Sequence, residues 1–189
     1  MAEAPIVGAL LLAAGAGTRM GGVKPARPFR GRPMLAWGVD AARAAGLPLL
    51  LVTGANRAAV EAAAGAVPSI HAENWADGLS ASLRAGLLAA PAGWAGVLVL
   101  LADMPLVRPA TLAALAAALR LGAPAVVPVH GGRRGNPCGF ARGAFPRLLA
   151  LSGDRGARAL LGPLGAVEVA VDDPGILADF DRPEDLAGK

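Results

Sequence analysis

The sequence predicts a three-layer α/β/α sandwich, formed as a single domain over residues 1–189, and three observations carry the prediction. The chain has 189 residues, 54% of them hydrophobic, which is enough to close one full core. Its short aliphatic runs are continuous instead of alternating, as strands covered on both faces are. Helical segments fall between those runs, and a strand–helix alternation of this kind implies a mostly parallel sheet with helices on both sides.

Taken in order, the first strand is expected at Ile6–Ala13 and is followed by a loop that holds Gly15, Gly17, Gly21 and Gly22. Pro33 stands at a helix start and leads into a helix over Met34–Ala45, because proline tolerates the first turn, where no intrahelical N–H bond is lost. A strand at Leu49–Thr53 ends at the Gly54 turn, and a helix at Arg57–Ala64 follows it. Leu79–Leu88 reads as a helix behind Gly78, and Val97–Ala102 as a buried strand. The helix Pro109–Leu121, again with an N-terminal proline, precedes strands at Ala125–Val129 and Val167–Val171.

Composition narrows the partners. The net charge of +4 is carried almost wholly by arginines scattered along the chain, with four Phe, three Trp and no Tyr. A nucleic-acid surface would gather its cations into a stripe interleaved with aromatics, so an anionic small molecule fits better. The lone Cys138 excludes an intramolecular disulfide framework and suits a reducing compartment. No signal peptide stands out, since Glu3 and Pro5 precede the first apolar run, and a cytoplasmic location is expected. The uncharged stretch Ala85–Ala102 has a membrane-spanning length, but Pro91 and Gly93 divide it into a helix end, a turn and a strand.

Ligands of open α/β sheets bind beyond the carboxyl ends of the strands, where the glycine-rich loop begins. Its glycines let the backbone approach an anion and point N–H groups at it, with Arg19 and Lys24 as cations beside them. Two familiar phosphate loops do not match. Lys24 is followed by Pro25 where a Walker A loop needs Ser or Thr, and Gly21 falls one residue late for a dinucleotide G-x-G-x-x-G.

Two acidic sites complete the pattern. Asp103 directly follows the strand in "VLVLLADMPLV", at the same sheet edge as the glycine loop, where a carboxylate can ligate a hard cation held with phosphates. Near the C-terminus, "ADFDRPEDL" offers Asp179 and Asp181, of which one is expected to face the site; by pattern alone Asp181 is equally an N-cap for a helix opening at Pro183.

Leu12, Ala13, Gly15, Arg19, Met20, Gly21 and Lys24 together resemble the signature L-A-x-G-x-x-x-R-M-G followed by lysine of nucleotidyltransferases with the Rossmann-like nucleotide-diphospho-sugar transferase fold, whose sheet is mixed but mostly parallel. "ENWADGLSASLRAGL", "GGRRGNPCGF" and "LSGDRGARALL" resemble segments of one branch, the molybdenum cofactor cytidylyltransferases of the MobA-like superfamily. The resemblance implies transfer of CMP from CTP to the terminal phosphate of molybdopterin, with Mg²⁺ as cofactor and a molybdenum hydroxylase as recipient of the product. A guanylyltransferase for the same cofactor or a cytidylyltransferase for another small phosphorylated substrate would share every core motif, and a non-catalytic carrier of the cofactor is the alternative from another class. It implies that Ala13, Ala14, Gly15, Gly17, Arg19 and Lys24 bind the nucleotide, with Gly78 and Ser80 near its base and ribose. It further implies that Arg19, Lys24 and Asp103 are catalytic, that Asp103 and Asp181 hold the metal with Asp179 as the fallback, and that Arg134, Asn136, Asp154 and Arg158 face the second substrate. Relatives that use CTP carry Ala at the position of Ala14 and guanylyl relatives usually Gly, so cytosine is expected over guanine. The sequence departs from the branch at Ala81, where Ser is usual, at Ala102, where Gly is, and at Asn136, where His is. His71 and His130 are read as structural.

Overall fold

The computed structural model describes residues 4–17 and 23–180. Strand β1 (Ile6–Ala13) is central, and its side chains divide between two cores. Leu10 and Leu12 face one core, while Val7, Ala9, Leu11 and Ala13 face the other. This period of two is why the run is hydrophobic throughout.

A small antiparallel pair, β2 (Pro28–Phe29) and β3 (Arg32–Pro33), leads into α1 (Met34–Ala44). Then come β4 (Leu49–Thr53), α2 (Arg57–Ala64), β5 (Ser69–His71), α3 (Leu79–Ala89) and β6 (Trp94–Leu101). The remainder holds α4 (Pro109–Arg120), β7 (Ala125–His130), β8 (Arg133–Arg134), β9 (Cys138–Ala141), α5 (Phe145–Leu149) and β10 (Val167–Ala170).

Among the described residues the main sheet has eight strands, in the order β10-β7-β9-β6-β1-β4-β5 with β8 paired to β7. Every pairing on the β6-β1-β4-β5 side is parallel, as is β10 with β7, whereas β9 runs antiparallel to both β6 and β7. The sheet is thus mixed but mostly parallel. Leu83, Leu87 and Leu148 of α3 and α5 cover one face, and Leu35, Val39, Val60, Leu112 and Leu115 of α1, α2 and α4 cover the other. Each fully buried leucine contributes about 1.5–3 kcal/mol over its exposed state, so the two faces together dominate stability.

The chain runs from β1 outward to β4 and β5, then returns to β6 on the opposite side of β1. That reversal opens a crevice at the carboxyl ends of β1 and β6, the position where open α/β sheets take their ligands. Its edge is pinned by the N–H of Ala102, which donates to the Leu12 carbonyl at 3.2 Å.

The stretch Ala85–Ala102 divides between α3, a turn at Pro91 and β6, and among the described residues no helix is long and apolar enough to cross a membrane. Strands β5 and β9 and helix α5 escape the hydrophobic-run reading for a physical reason. Ser69–His71 is too short and polar, and "CGFA" places a glycine where bulk would collide: a Cβ on Gly139 would lie 2.6 Å from Leu98 Cδ2.

One buried carboxylate serves the fold. Asp173 is 1% exposed and accepts from Arg108 N at 2.8 Å, Thr111 Oγ1 at 2.7 Å and Gly175 N at 2.9 Å. Arg108, the residue ahead of α4, offers that helix no side-chain cap. Asp173 supplies one from 62 residues away in sequence, with its negative charge at the positive end of the helix.

Candidate active site

A cleft of about 530 Å³ occupies the crevice. Its floor is Leu12–Gly17, continuing from the end of β1, and its walls include Lys24, Trp75, Gly78, Ser82, Asp103 and Asp154. Among the described residues, none accepts a hydrogen bond from the N–H groups of Gly15, Ala16 or Gly17. Gly15 is exposed and Ala16 and Gly17 are half-buried, and successive backbone amides along a cleft floor suit an anionic ligand.

Two charged side chains meet beside that floor. Lys24, at the head of a short 3-10 turn (Lys24–Ala26) whose second residue is the buried Pro25, places Nζ 2.7 Å from Asp103 Oδ2. The Lys24 and Asp103 side chains are 14% and 25% exposed, respectively. The other carboxylate oxygen, Asp103 Oδ1, is buried and has no hydrogen-bond partner among the described residues. An acceptor oxygen left buried without a partner costs about 1–3 kcal/mol, which a bound cation would relieve. The donor set fits a hard divalent ion: a carboxylate with one oxygen unpartnered among the described residues, on a residue that lines a cleft shared with the backbone amides of Gly15–Gly17.

The C-terminal segment reaches the same place. Phe180 N donates to the Asp103 carbonyl at 3.1 Å, and the Phe180 ring lies 4.9 Å from that of Phe29 in a small core with Met34. Asp179, next to it, is exposed. Arg19, Met20, Gly21 and Asp181 lie outside the described residues.

Of the nucleotide-contacting residues the sequence proposes, Ala13, Ala14, Gly15, Gly17, Lys24 and Gly78 line the cleft. Gly78 has φ +106°, which side-chain-bearing residues rarely adopt, and a Cβ there would lie 2.7 Å from both Asp154 Oδ1 and Gly153 O. Ser80 is not among the lining residues; it is 4% exposed, as Ser82 is, and its N–H donates to Gly153 O at 3.1 Å. Ser82, three residues along α3 from Leu79 and on the same helical face, lines the cleft in its place.

The four residues assigned to a second substrate separate. Asp154 lines the cleft, carried by the loop that docks on the start of α3. Arg134 pairs with Glu168 at 2.6 Å on the surface. Arg158 donates to the carbonyls of Gly135 at 2.9 Å and Arg134 at 3.4 Å, while Asn136 N donates to Ile176 O at 2.9 Å. Those bonds hold the loop after β8 against Pro174–Leu177, where a Cβ on Gly135 would lie 2.4 Å from Ile176 O. Cys138 is buried beneath this loop, and burial pushes its thiol up to about 11. His71 sits near Thr53 Oγ1 at 3.5 Å, and His130 Nδ1 lies 3.1 Å from the Val171 carbonyl; neither lines the cleft.

Trp75 is the wall residue that sequence reasoning missed. It is half-buried in a 3-10 turn (Trp75–Asp77), and Gly54 lets it approach Ala14 closely. A Cβ on Gly54 would lie 2.4 Å from Ala14 O and 2.8 Å from both Ala14 Cβ and Trp75 Cβ. The signal was present in "ENWADG", an aromatic one turn ahead of a helix that faces the glycine loop.

Comparison with known proteins shows the family. The chain is similar to Bifunctional protein GlmU of Pelobacter propionicus, 41% identical over 144 residues, but it spans only 30% of the length of that relative against 72% of its own. It is 34% identical over 175 residues to Nicotine blue oxidoreductase of Paenarthrobacter nicotinovorans, covering 84% of this chain and 83% of that one. Among solved structures, Rv0371c of Mycobacterium tuberculosis superposes with a TM-score of 0.87 at 32% identity, covering 97% of this chain and 96% of the other. A manganese complex of Rv0371c superposes with a TM-score of 0.76 at 30% identity over 88% of each chain, so a divalent ion occurs in a structure of that relative. The family model of the MobA-like NTP transferase domain matches residues 9–169, which hold both the glycine loop and Asp103, and the chain belongs to that family of nucleotidyltransferases.

Proposed function

We propose that this nucleotidyltransferase transfers CMP from CTP to the terminal phosphate of molybdopterin, releasing pyrophosphate and leaving a cytosine dinucleotide cofactor for a molybdenum hydroxylase. The observation that carries the metal-assisted transfer is the Lys24–Asp103 pair with its orphan Oδ1, set beside amides of the Gly15–Gly17 loop that find no acceptor among the described residues. The choice of CTP and molybdopterin draws support from the sequence motifs and from Ala14 on the cleft floor. The same reading places the enzyme in the cytoplasm.

In this mechanism a phosphate oxygen of the acceptor attacks the α-phosphorus of CTP, the bond to the β-phosphate breaks, and pyrophosphate leaves with the electron pair. A phosphate monoester is nucleophilic at neutral pH, so no general base is required. The protein's task is positioning and charge neutralisation. The N–H groups of the Gly15–Gly17 loop and the Lys24 ammonium hold the triphosphate, and Arg19 adds a second cation. Asp103, with Asp181 as its partner, would hold Mg²⁺, which supplies Lewis-acid neutralisation of the phosphate oxygens. The hydrogen bond between Phe180 N and Asp103 O supports that pairing across 77 residues of sequence, since Asp181 is the next residue. Ser82 and Asp154 provide polar groups for the nucleoside end of the cleft.

Pyrophosphate release tests the reading. The purified protein is incubated with Mg²⁺, each nucleoside triphosphate in turn, and molybdopterin. Turnover with CTP that depends on molybdopterin supports the proposal; absence of turnover with every triphosphate would remove it.

A further inference from the structure

The Lys24–Asp103 pair has a consequence for how ligands enter. Lys24 occupies one oxygen of the carboxylate whose other oxygen is the buried orphan, so a divalent cation arriving at Oδ1 meets an ammonium ion bonded to the same group. Both partners are largely shielded from solvent, at 14% and 25% exposure, so their charges are screened less than those of an open surface pair. Two cations competing for one carboxylate in such surroundings repel, and even at an effective dielectric of about 40 the repulsion lowers cation affinity by more than an order of magnitude.

We propose that Lys24 is a gate on metal binding, holding the cation affinity of Asp103 low until the phosphates of a nucleotide draw the ammonium away. The inference rests on the reading of Asp103 as a metal ligand. Lysine suits the role because its charge is compact and carried on a flexible stem, so it can swing between two anions in one cleft. The second anion has its seat within reach: Lys24 and the Gly15–Gly17 loop line the same cleft. When Lys24 turns to the phosphates, Asp103 loses its counter-ion, and two oxygens become available to the cation. Nucleotide and metal then bind with positive coupling, and the coupling is reciprocal. A cleft wired in this way holds metal weakly when no substrate is present.

The test is Mn²⁺ binding by the full chain without nucleotide, read from the free-ion electron paramagnetic resonance signal, which is independent of turnover. The wild type should bind weakly. Lys24→Met, which keeps the stem and removes the charge, should bind at least about tenfold more tightly, whereas Lys24→Arg, which keeps a cation there, should stay near wild type. In EDTA, where no metal competes, Asp103→Asn should bind CTP at least about tenfold more tightly in calorimetry, because Lys24 is released to the phosphates. Melting curves check folding, and Lys24→Gln stands in if Lys24→Met does not fold. Loss of Mn²⁺ binding in Asp103→Asn with no gain in Lys24→Met overturns the gate but leaves Asp103 a ligand. Mn²⁺ binding indifferent to Asp103→Asn overturns the ligand assignment and the gate with it.

Discussion

Replacing Gly54 by alanine separates the role of the cleft floor from the stability of the core. A Cβ at this position would lie 2.4 Å from the Ala14 carbonyl oxygen and 2.8 Å from both Ala14 Cβ and Trp75 Cβ. Ordinary carbon contacts begin at about 3.5 Å, so the three neighbours must retreat by roughly 1 Å. None is the end of a flexible side chain, and the Ala14 carbonyl is also fixed by the N–H of Ala55 at 3.1 Å, so relief requires the floor or the Trp75 turn to move as backbone. Overpacking of this kind costs about 1–3 kcal/mol, and for a chain of this size each kcal/mol lowers Tm by about 2–4 °C. A 1 Å displacement of groups that position a substrate can cost up to about 10²-fold, and we expect nucleotide Kd to rise at least about tenfold. Gly86→Ala is the control: its Cβ would meet Val52 Cγ2 at 2.9 Å and Leu10 Cδ1 at 3.2 Å, both side-chain termini in the core. It should lower Tm while leaving nucleotide Kd within about twofold. Calorimetric titration with CTP and thermal melts of both variants decide the matter. Wild-type affinity in Gly54→Ala alongside a lowered Tm would refute the argument that the Ala14–Gly54–Trp75 contact shapes the site.

Further outcomes follow from other residues. Lys24→Ala should lower kcat on the order of 10²-fold or more without unfolding the chain, and a change confined to KM would reduce Lys24 to a binding role. Turnover should favour CTP over GTP by at least about tenfold in kcat/KM, and Ala14→Gly should narrow that ratio; equal turnover of the two nucleotides by the wild type would remove Ala14 as a selector. Asp173→Ala strips the cap from α4 and leaves the Thr111 hydroxyl, 2% exposed, without its acceptor, a loss of about 3 kcal/mol that should lower Tm by roughly 10 °C with kcat preserved. Cys138, with its thiol pushed up to about 11 by burial, should resist a disulfide reagent at pH 8 and react at once in urea. Because the folded value lies above the ordinary 9.0, the unfolded chain loses its proton first; stability from this group is full below pH 9 and declines as pH rises toward 11, a decline that Cys138→Ala should abolish in melts across that window.

How much of this was legible in the sequence depends on whether a feature is local. The long buried strands and the amphipathic helices announce themselves, because each run of side chains reports its own surroundings: Ile6–Ala13 and Leu49–Thr53 were read to the residue, and Met34–Ala44 to within one. Strand β9 carries no such report. Its cysteine, glycines and single phenylalanine make sense only once β6 and β7 are in place on either side, where Gly139 is required by Leu98. The cleft divides along the same line. Glycines and Lys24 near the end of β1, and Asp103 after β6, are marked by position at a strand end, and the fold brings them to one edge. Ser80 and Ser82 look interchangeable in "GLSASL" and are equally buried, and only the folded helix shows that Ser82 is the one lining the cleft. Arg134, Asn136 and Arg158 carry the polar chemistry expected of a substrate site, yet here their bonds go to Glu168, Ile176 O and Gly135 O.

Lys24 and Asp103 show what such a reading leaves out even where the fold brings its residues to one cleft. The sequence reading expects a separate role of each: an ammonium for phosphates, a carboxylate for a cation. Placed 2.7 Å apart across 79 residues of sequence, the two charges pair with each other, and on the proposal above each weakens the other's hold on its ligand until both ligands are present. Composition and spacing identify both charges, but only the folded chain shows that they meet. A site read as a sum of residues would bind metal and nucleotide independently; a site read as a pair binds them together, and that difference is what the Mn²⁺ titration of Lys24→Met measures.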